Sequence, residues 1–198
     1  MILLSDYGGV ICFHQPEEDV AKMASVAAMS MEEFVDAYWR RRMEYDRGDL
    51  LPGAYWSDVL GRPIVDDRLA TMRRLDVQSW LHPNPDTLEA FRALTDRYQL
   101  ALLSNAPEDL ALALRTVDWL PTIEPRFFSY AFRLVKPDPR IYDAVLTSLD
   151  VDPHEVVFVD DRIDNVRAAE DAGMRGIHFE NPSDLDVLGS GSASAAVP

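Results

Sequence analysis

The sequence predicts an α/β protein: a parallel sheet with helices on both faces and a small all-helical segment inserted after the first strand. Three observations predict it. Short runs such as Val156-Val157-Phe158-Val159 are apolar at every position, as a strand buried on both faces must be. From residue 83 onward such runs alternate with segments of helix length and helical spacing. Between the first run and residue 83, residues 16–82 read as helix throughout, with no convincing strand.

The elements follow in order. The run Ile2-Leu3-Leu4-Ser5 is the first strand, and Asp6-Tyr7-Gly8-Gly9-Val10 is the glycine-rich turn it feeds. Pro16 suits a first helical turn, and alanines at 21, 24, 27 and 28 continue at helical spacing. Ser30 with Glu33 forms a capping-box pattern that opens a helix through Tyr45, which Gly48 ends. Pro52 starts another helix through Leu60, and Asp66 or Asp67 a third to about Leu81. The core then reads helix (86–97), strand (99–103), helix after Pro107, short strand (127–130), helix (140–149), strand (156–159), helix (163–172) and strand (176–179). The expected organisation is a Rossmann-like core from 1–14 and 83–186, a helical insert at 15–82, and a disordered small-residue tail at 187–198.

Composition narrows the function. A chain of 198 residues with 47% hydrophobic content can bury one good core and a small accessory domain. A formal charge of −15 repels nucleic acid and anionic membranes, so neither is an expected partner. The same field disfavours a phosphorylated substrate unless local cations reverse it. The single cysteine, Cys12, excludes an internal disulfide and any multi-cysteine metal site, and reads as a small apolar side chain behind the first turn. No run approaches the ~20 apolar residues of a membrane span, and no basic leader precedes the first strand, so a cytoplasmic protein is expected.

Ligands of open α/β sheets bind beyond the carboxyl ends of the strands. Here those ends carry Asp6, Ser104-Asn105 and Asp160-Asp161, with Lys136 in a loop returning to the same edge. Each has an ordinary alternative. Asp-Gly turns, Ser or Asn helix caps, an Asp cap before Ile163 and a solvated lysine are all common. Together they are more specific. Two carboxylates ~4 Å apart repel by roughly 4 kcal/mol at an effective dielectric of ~20. Three of them need a cation, and hard oxygen ligands without clustered His or Cys suit Mg²⁺ rather than zinc. Ser104, Asn105 and Lys136 are the candidate phosphate-binding groups.

These four segments resemble, in order, the four motifs of the haloacid dehalogenase superfamily of hydrolases. The stretches around Leu102-Leu103-Ser104-Asn105-Ala106, Lys136-Pro137-Asp138-Pro139 and Val159-Asp160-Asp161-Arg162 are similar to the branch of sugar-1-phosphate phosphatases and the phosphatase domain of soluble epoxide hydrolase. The resemblance covers 1–14 and 83–180 and implies that the insert is a cap. It also implies catalysis by Asp6, Ser104 and Lys136, with Asp6 as nucleophile forming an aspartyl-phosphate. Mg²⁺ would be held by Asp6, the Gly8 carbonyl and Asp161, with Asp160 as an outer or alternative ligand and Asn165 steadying the acidic loop.

The sequence departs from that pattern at Gly8, where the family's phosphatases usually carry an acid–base aspartate. General acid–base catalysis is worth ~10²–10⁴-fold, so substrates with good leaving groups are expected: glycosyl, acyl or aryl phosphates. His14 is a candidate replacement acid, or a hinge residue. Arg40-Arg41-Arg42 reads as a solvated helix face from which one arginine could reach the cleft. The expected function is Mg²⁺-dependent hydrolysis of small phosphorylated metabolites, sugar phosphates foremost. The alternatives are 2-haloacid dehalogenation, which the acidic pair opposes, and a catalytically impaired ligand-binding protein, which Gly8 favours.

Overall fold

The computed structural model describes residues 1–120 and 123–189. Five parallel strands form one sheet: β1 (Ile2–Ser5), β2 (Gln99–Ser104), β3 (Arg126–Phe128), β4 (Val156–Asp160) and β5 (Arg175–His178), in the order β3-β2-β1-β4-β5. The register places Ser5 opposite both Leu102 of β2 and Val159 of β4. The residues that follow, Asp6, Leu103-Ser104 and Asp160, therefore leave the sheet at one edge.

The pleat explains why the strands are apolar at every position. Leu3, Leu102, Val157 and Val159 face α6 (Pro85–Leu94) and α7 (Glu108–Leu114), packing on Leu88, Phe91 and Leu110. Leu4, Ala101, Leu103 and Phe158 face the other way, onto Ile141, Tyr142 and Val145 of α9 (Pro139–Leu149) and Ala169 of α10 (Ile163–Asp171). β3 is shorter than expected. Its ladder stops at Phe128, and α8 (Ser129–Phe132) begins at once, with the Ser129 hydroxyl inside the molecule.

Between β1 and α6 lie five helices: α1 (Glu17–Ala27), α2 (Met31–Arg40), α3 (Arg42–Asp46), α4 (Pro52–Val59) and α5 (Asp66–Ser79). They enclose their own cluster of Met23, Phe34, Tyr38, Tyr45, Tyr55, Trp56 and Met72. Ser30 and Glu33 form the expected capping box. The single helix expected through Tyr45, however, breaks at Arg41 (φ −126°, ψ 20°). The break turns Arg42 inward, where it is 3% exposed and donates to Asp46 (2.7 Å), to Asp76 (3.0 Å) and to the Tyr38 hydroxyl. Arg42 is thus not part of a solvated face, whereas Arg40 is exposed and Arg41 pairs with Glu44.

The insert meets the core through several polar contacts, two of them around α7 and α8. Asp109 of α7 accepts from Tyr45 (3.0 Å) and Arg73 (2.7 Å). The Ser129 hydroxyl donates to the Asp46 carbonyl (2.5 Å) and accepts from the Ala106 N–H (2.9 Å). At the other end of the chain, the expected disordered tail begins too early. Val187, Leu188 and Gly189 belong to α11 (Asp186–Gly189), and Leu188 is buried against the core. Residues 190–198 lie outside the described residues.

Removing one partner of a buried ion pair leaves uncompensated charge in a low-dielectric interior. Arg42→Met strands Asp46 and Asp76 and is expected to lower the unfolding free energy by about 3–5 kcal/mol in urea titrations. The triple variant Arg42→Met, Asp46→Leu, Asp76→Leu should recover most of that loss, because it removes the charges along with their partner.

Candidate active site

Asp6 extends the ladder past the end of β1, since its N–H donates to the Val159 carbonyl at 2.8 Å. The turn then folds back on itself: Cys12 N–H donates to the Tyr7 carbonyl (2.9 Å) and Gly9 N–H to the Cys12 carbonyl (2.7 Å), bracketing Gly8. Cys12 is buried, and its thiol donates to the Trp80 carbonyl at 3.0 Å, a packing role. The Asp6 carboxylate accepts the Tyr7 N–H and the Lys136 ammonium, each at 2.7 Å and both at Oδ1. Its Oδ2 has no donor among the described residues.

Lys136 is the centre of the constellation. It is 2% exposed and reaches Asp6 and Asp160 at 2.7 Å each. Burial pulls its pKa down, but the Asp160 and Asp6 carboxylates outweigh that and hold it above the ordinary lysine value. Asn105 fixes its backbone: the amide Nδ2 donates to the Lys136 carbonyl (2.9 Å) and Oδ1 accepts the Lys136 N–H (2.8 Å). Asn105, expected among the phosphate ligands, therefore spends both ends of its side chain on aiming the lysine. Ser104, at the end of β2, is buried and lines the same cavity, its hydroxyl without a partner among the described residues.

Asp160 is enclosed. Besides Lys136 it accepts the Arg162 N–H and the Asn165 amide, both at 2.9 Å. Asp161 points to the cavity and meets His14 Nε2 at 3.3 Å. The Asp161 hydrogen bond raises the His14 pKa, although partial burial opposes it. Asp6 is pushed up to about 7, chiefly by burial, with Lys136 opposing and Asp160 adding to the rise. Three carboxylates around one ammonium leave an excess of negative charge in a buried place.

Among the described residues, Asp6, Asp160 and Asp161 are the group of three whose ligand oxygens all lie within 4.8 Å of one another. An all-carboxylate set suits a hard divalent cation. Two further features fit. Asn165 leaves its buried Oδ1 unpartnered, an acceptor that a metal-bound water would satisfy. Gly9, at φ +77°, makes room for Asp161: a Cβ there would stand 2.5 Å from Asp161 Oδ2.

Arg42, one of the arginines that could reach the cleft, and residues that sequence reasoning missed complete the site. A cavity of about 400 Å³ joins the acidic end to Trp39, Arg42, Met43 and Asp46 of the insert, Trp80 at the end of α5, and Leu110 of α7. Trp80 stands over Gly8, where a Cβ would be 3.1 Å from its ring. An aromatic ring thus fills the space beside the position that lacks a carboxylate. No local signal marks Trp80, because it acts through contacts distant in sequence, and none gives Asn105 its role on the Lys136 backbone.

The model of the haloacid dehalogenase-like hydrolases matches residues 7–173. The chain is 36% identical over 100 residues to a phosphorylated carbohydrates phosphatase of Thermotoga maritima, covering 50% of this chain and 46% of that protein, so about half of that relative's length is matched. It is 46% identical over 141 residues to the sesquiterpene phosphatase astK of Aspergillus oryzae, covering 69% and 70%. The fold matches a solved HAD family enzyme of Bacteroides thetaiotaomicron, BT-2542, at TM-score 0.76 and 22% identity over 93% of this chain and 97% of that one. That protein has also been solved with magnesium and inorganic phosphate. A solved L-2-haloacid dehalogenase shares the fold at TM-score 0.67 and 21% identity over 93% and 86%.

Gly9→Ala forces a left-handed backbone on a residue with a Cβ and pushes Asp161 off the turn. Titration calorimetry with Mg²⁺ is expected to give one site in the wild type and roughly 10–100-fold weaker binding in the variant, the loss typical when a ligand's support is removed.

Proposed function

The chain belongs to the haloacid dehalogenase-like hydrolase family, and from that premise we propose that it is a Mg²⁺-dependent phosphatase of small phosphorylated metabolites working through an aspartyl-phosphate on Asp6. The observation that carries this reading is Lys136, buried between Asp6 and Asp160 with Asp161 and Ser104 around the same cavity. One cation cannot neutralise three carboxylates and also receive an anionic substrate. Bound to Asp6, Asp161 and the Gly8 carbonyl, with Asp160 behind, Mg²⁺ would supply the missing positive charge, favour the ionised nucleophile and polarise the phosphoryl oxygens.

The protein's own groups do the rest. Oδ2 of Asp6, free of protein donors, attacks phosphorus while Oδ1 stays anchored by Lys136 and the Tyr7 N–H. The Lys136 ammonium and the Ser104 hydroxyl take the non-bridging oxygens of the phosphoryl group. The leaving oxygen departs with its electron pair, and water then hydrolyses the acyl phosphate, freeing phosphate and regenerating Asp6. Residues 15–82 act as the cap that closes on substrate and excludes water.

The dehalogenase reading gains nothing from the site. Its halide-releasing chemistry needs no metal, whereas three converging carboxylates here carry more negative charge than Lys136 offsets, which suits a bound divalent cation. The relatives' names do not settle the leaving group: one is named for phosphorylated carbohydrates and another for a sesquiterpene. A sugar phosphate, the expectation from sequence, is one candidate.

Two outcomes are expected. Acetyl phosphate hydrolysis should require Mg²⁺, stop with EDTA, and vanish in Asp6→Asn, whose fold is checked by circular dichroism. With Trp80 over Gly8 and no aspartate at that position, a hexose 1-phosphate should turn over faster than the 6-phosphate by about tenfold or more, within the range of a lost general acid. Equal rates would mean that another group protonates the leaving oxygen.

A further inference from the structure

Resting on that phosphatase reading, we infer that the substrate's leaving group is an extended apolar or aromatic moiety, not a polyol, and that Trp39 and Met43 of the insert read it. The cavity has unlike walls. The acidic end holds Asp6, Ser104, Lys136 and Asp161, with Trp80 over Gly8 beside it; Trp39 and Met43 of the insert and Leu110 are further apolar walls. Its volume of about 400 Å³ lies in the range of pockets that enclose small organic ligands.

A sugar needs donors and acceptors for its hydroxyls, and the apolar walls Trp39, Met43 and Leu110 have almost none to give. Arg42 lines the cavity, but its guanidinium is held by Asp46, Asp76 and Tyr38. Asp46 is taken by Arg42 in turn. The Tyr7 hydroxyl donates to the Trp80 carbonyl (2.5 Å), and the Trp80 indole N–H donates to the Tyr38 hydroxyl (3.2 Å). Of the wall groups from the insert, the Trp39 indole N–H, Arg42 Nη2 and Asp46 Oδ2 have no partner among the described residues. A hydroxyl enclosed against Met43 and Leu110 would lose its water without replacement.

The apolar groups, by contrast, lack a cover. Trp39 is 52% exposed and Met43 51% exposed, although each follows or precedes buried aromatic neighbours that have found the insert's core. Trp39 stands edge-on to Tyr38 (5.0 Å, 84°), a contact that orients the ring. Met43 is an unbranched side chain that adapts to the shape laid against it. An apolar leaving group would remove both from water, and the phosphate would sit at the acidic end.

The test separates the chain's two readings. With Mg²⁺ present, kcat/KM is measured for 4-ethyl-, 4-butyl- and 4-hexylphenyl phosphate, whose leaving groups have nearly the same acidity, and for glucose 1-phosphate and acetyl phosphate. The expected result is a rise of about two- to fourfold per added methylene, the value of burying a CH₂. Trp39→Ser and Met43→Ser should each flatten that slope, a ratio that does not depend on how much of the variant is active. A flat series, a slope unchanged in both variants, or a glucose 1-phosphate rate equal to that of the hexyl ester overturns the inference, while acetyl phosphate turnover leaves the phosphatase reading standing. If acetyl phosphate and every ester are inert, both fall together.

Discussion

A single buried ammonium holds this site together. Asp6 and Asp160 leave neighbouring parallel strands at the same level of the sheet, so topology alone would set two carboxylates side by side in a dry place. Lys136 makes that arrangement possible by standing between them. It must itself be aimed, because a flexible side chain held only by charge could settle elsewhere. Asn105, from the end of β2, grips the lysine backbone at both N–H and C=O, and Asn165 and the Arg162 N–H fix Asp160. Four stretches distant in sequence are thus registered by hydrogen bonds that are buried or part-buried.

The protein treats charge differently in its two halves. In the core, carboxylates exceed cations and the deficit is concentrated at one spot. In the insert, one guanidinium, Arg42, meets two carboxylates, Asp46 and Asp76, so a smaller excess of negative charge remains there. On the proposed reading, a chain with a formal charge of −15 would have to serve an anionic substrate. The long-range field does not draw the substrate in. Attraction is confined to a few ångströms, where Lys136 and a bound divalent ion would dominate over distant, solvent-screened carboxylates.

Much of this was legible in the sequence, for a definite reason. Strands buried on both faces are apolar at every position, so β1, β2 and β4 announce themselves, and the residues that end them are the ones the sheet delivers to its edge. Asp6, Ser104 and Asp160-Asp161 could therefore be placed without coordinates, and Lys136 by the motif it sits in. What could not be read depends on pairing across the fold. Three adjacent arginines look alike in sequence, yet Arg42 is interior because Asp76, on another helix, awaits it. Asn105 reads as a ligand or a cap until the Lys136 backbone is seen against it. Val187 to Gly189 precede a run of small residues and read as tail, but Leu188 fits a gap beside α6.

The ring of Trp80 against Gly8 also constrains how this protein can change over generations. A side chain at position 8 would put its Cβ 3.1 Å from the indole, so the ring must give by a few tenths of an ångström before a carboxylate fits. The indole does not yield without cost, for its N–H holds the Tyr38 hydroxyl. A lineage gaining the acid would thus meet a packing cost at Trp80 first, a resistance that favours keeping the glycine.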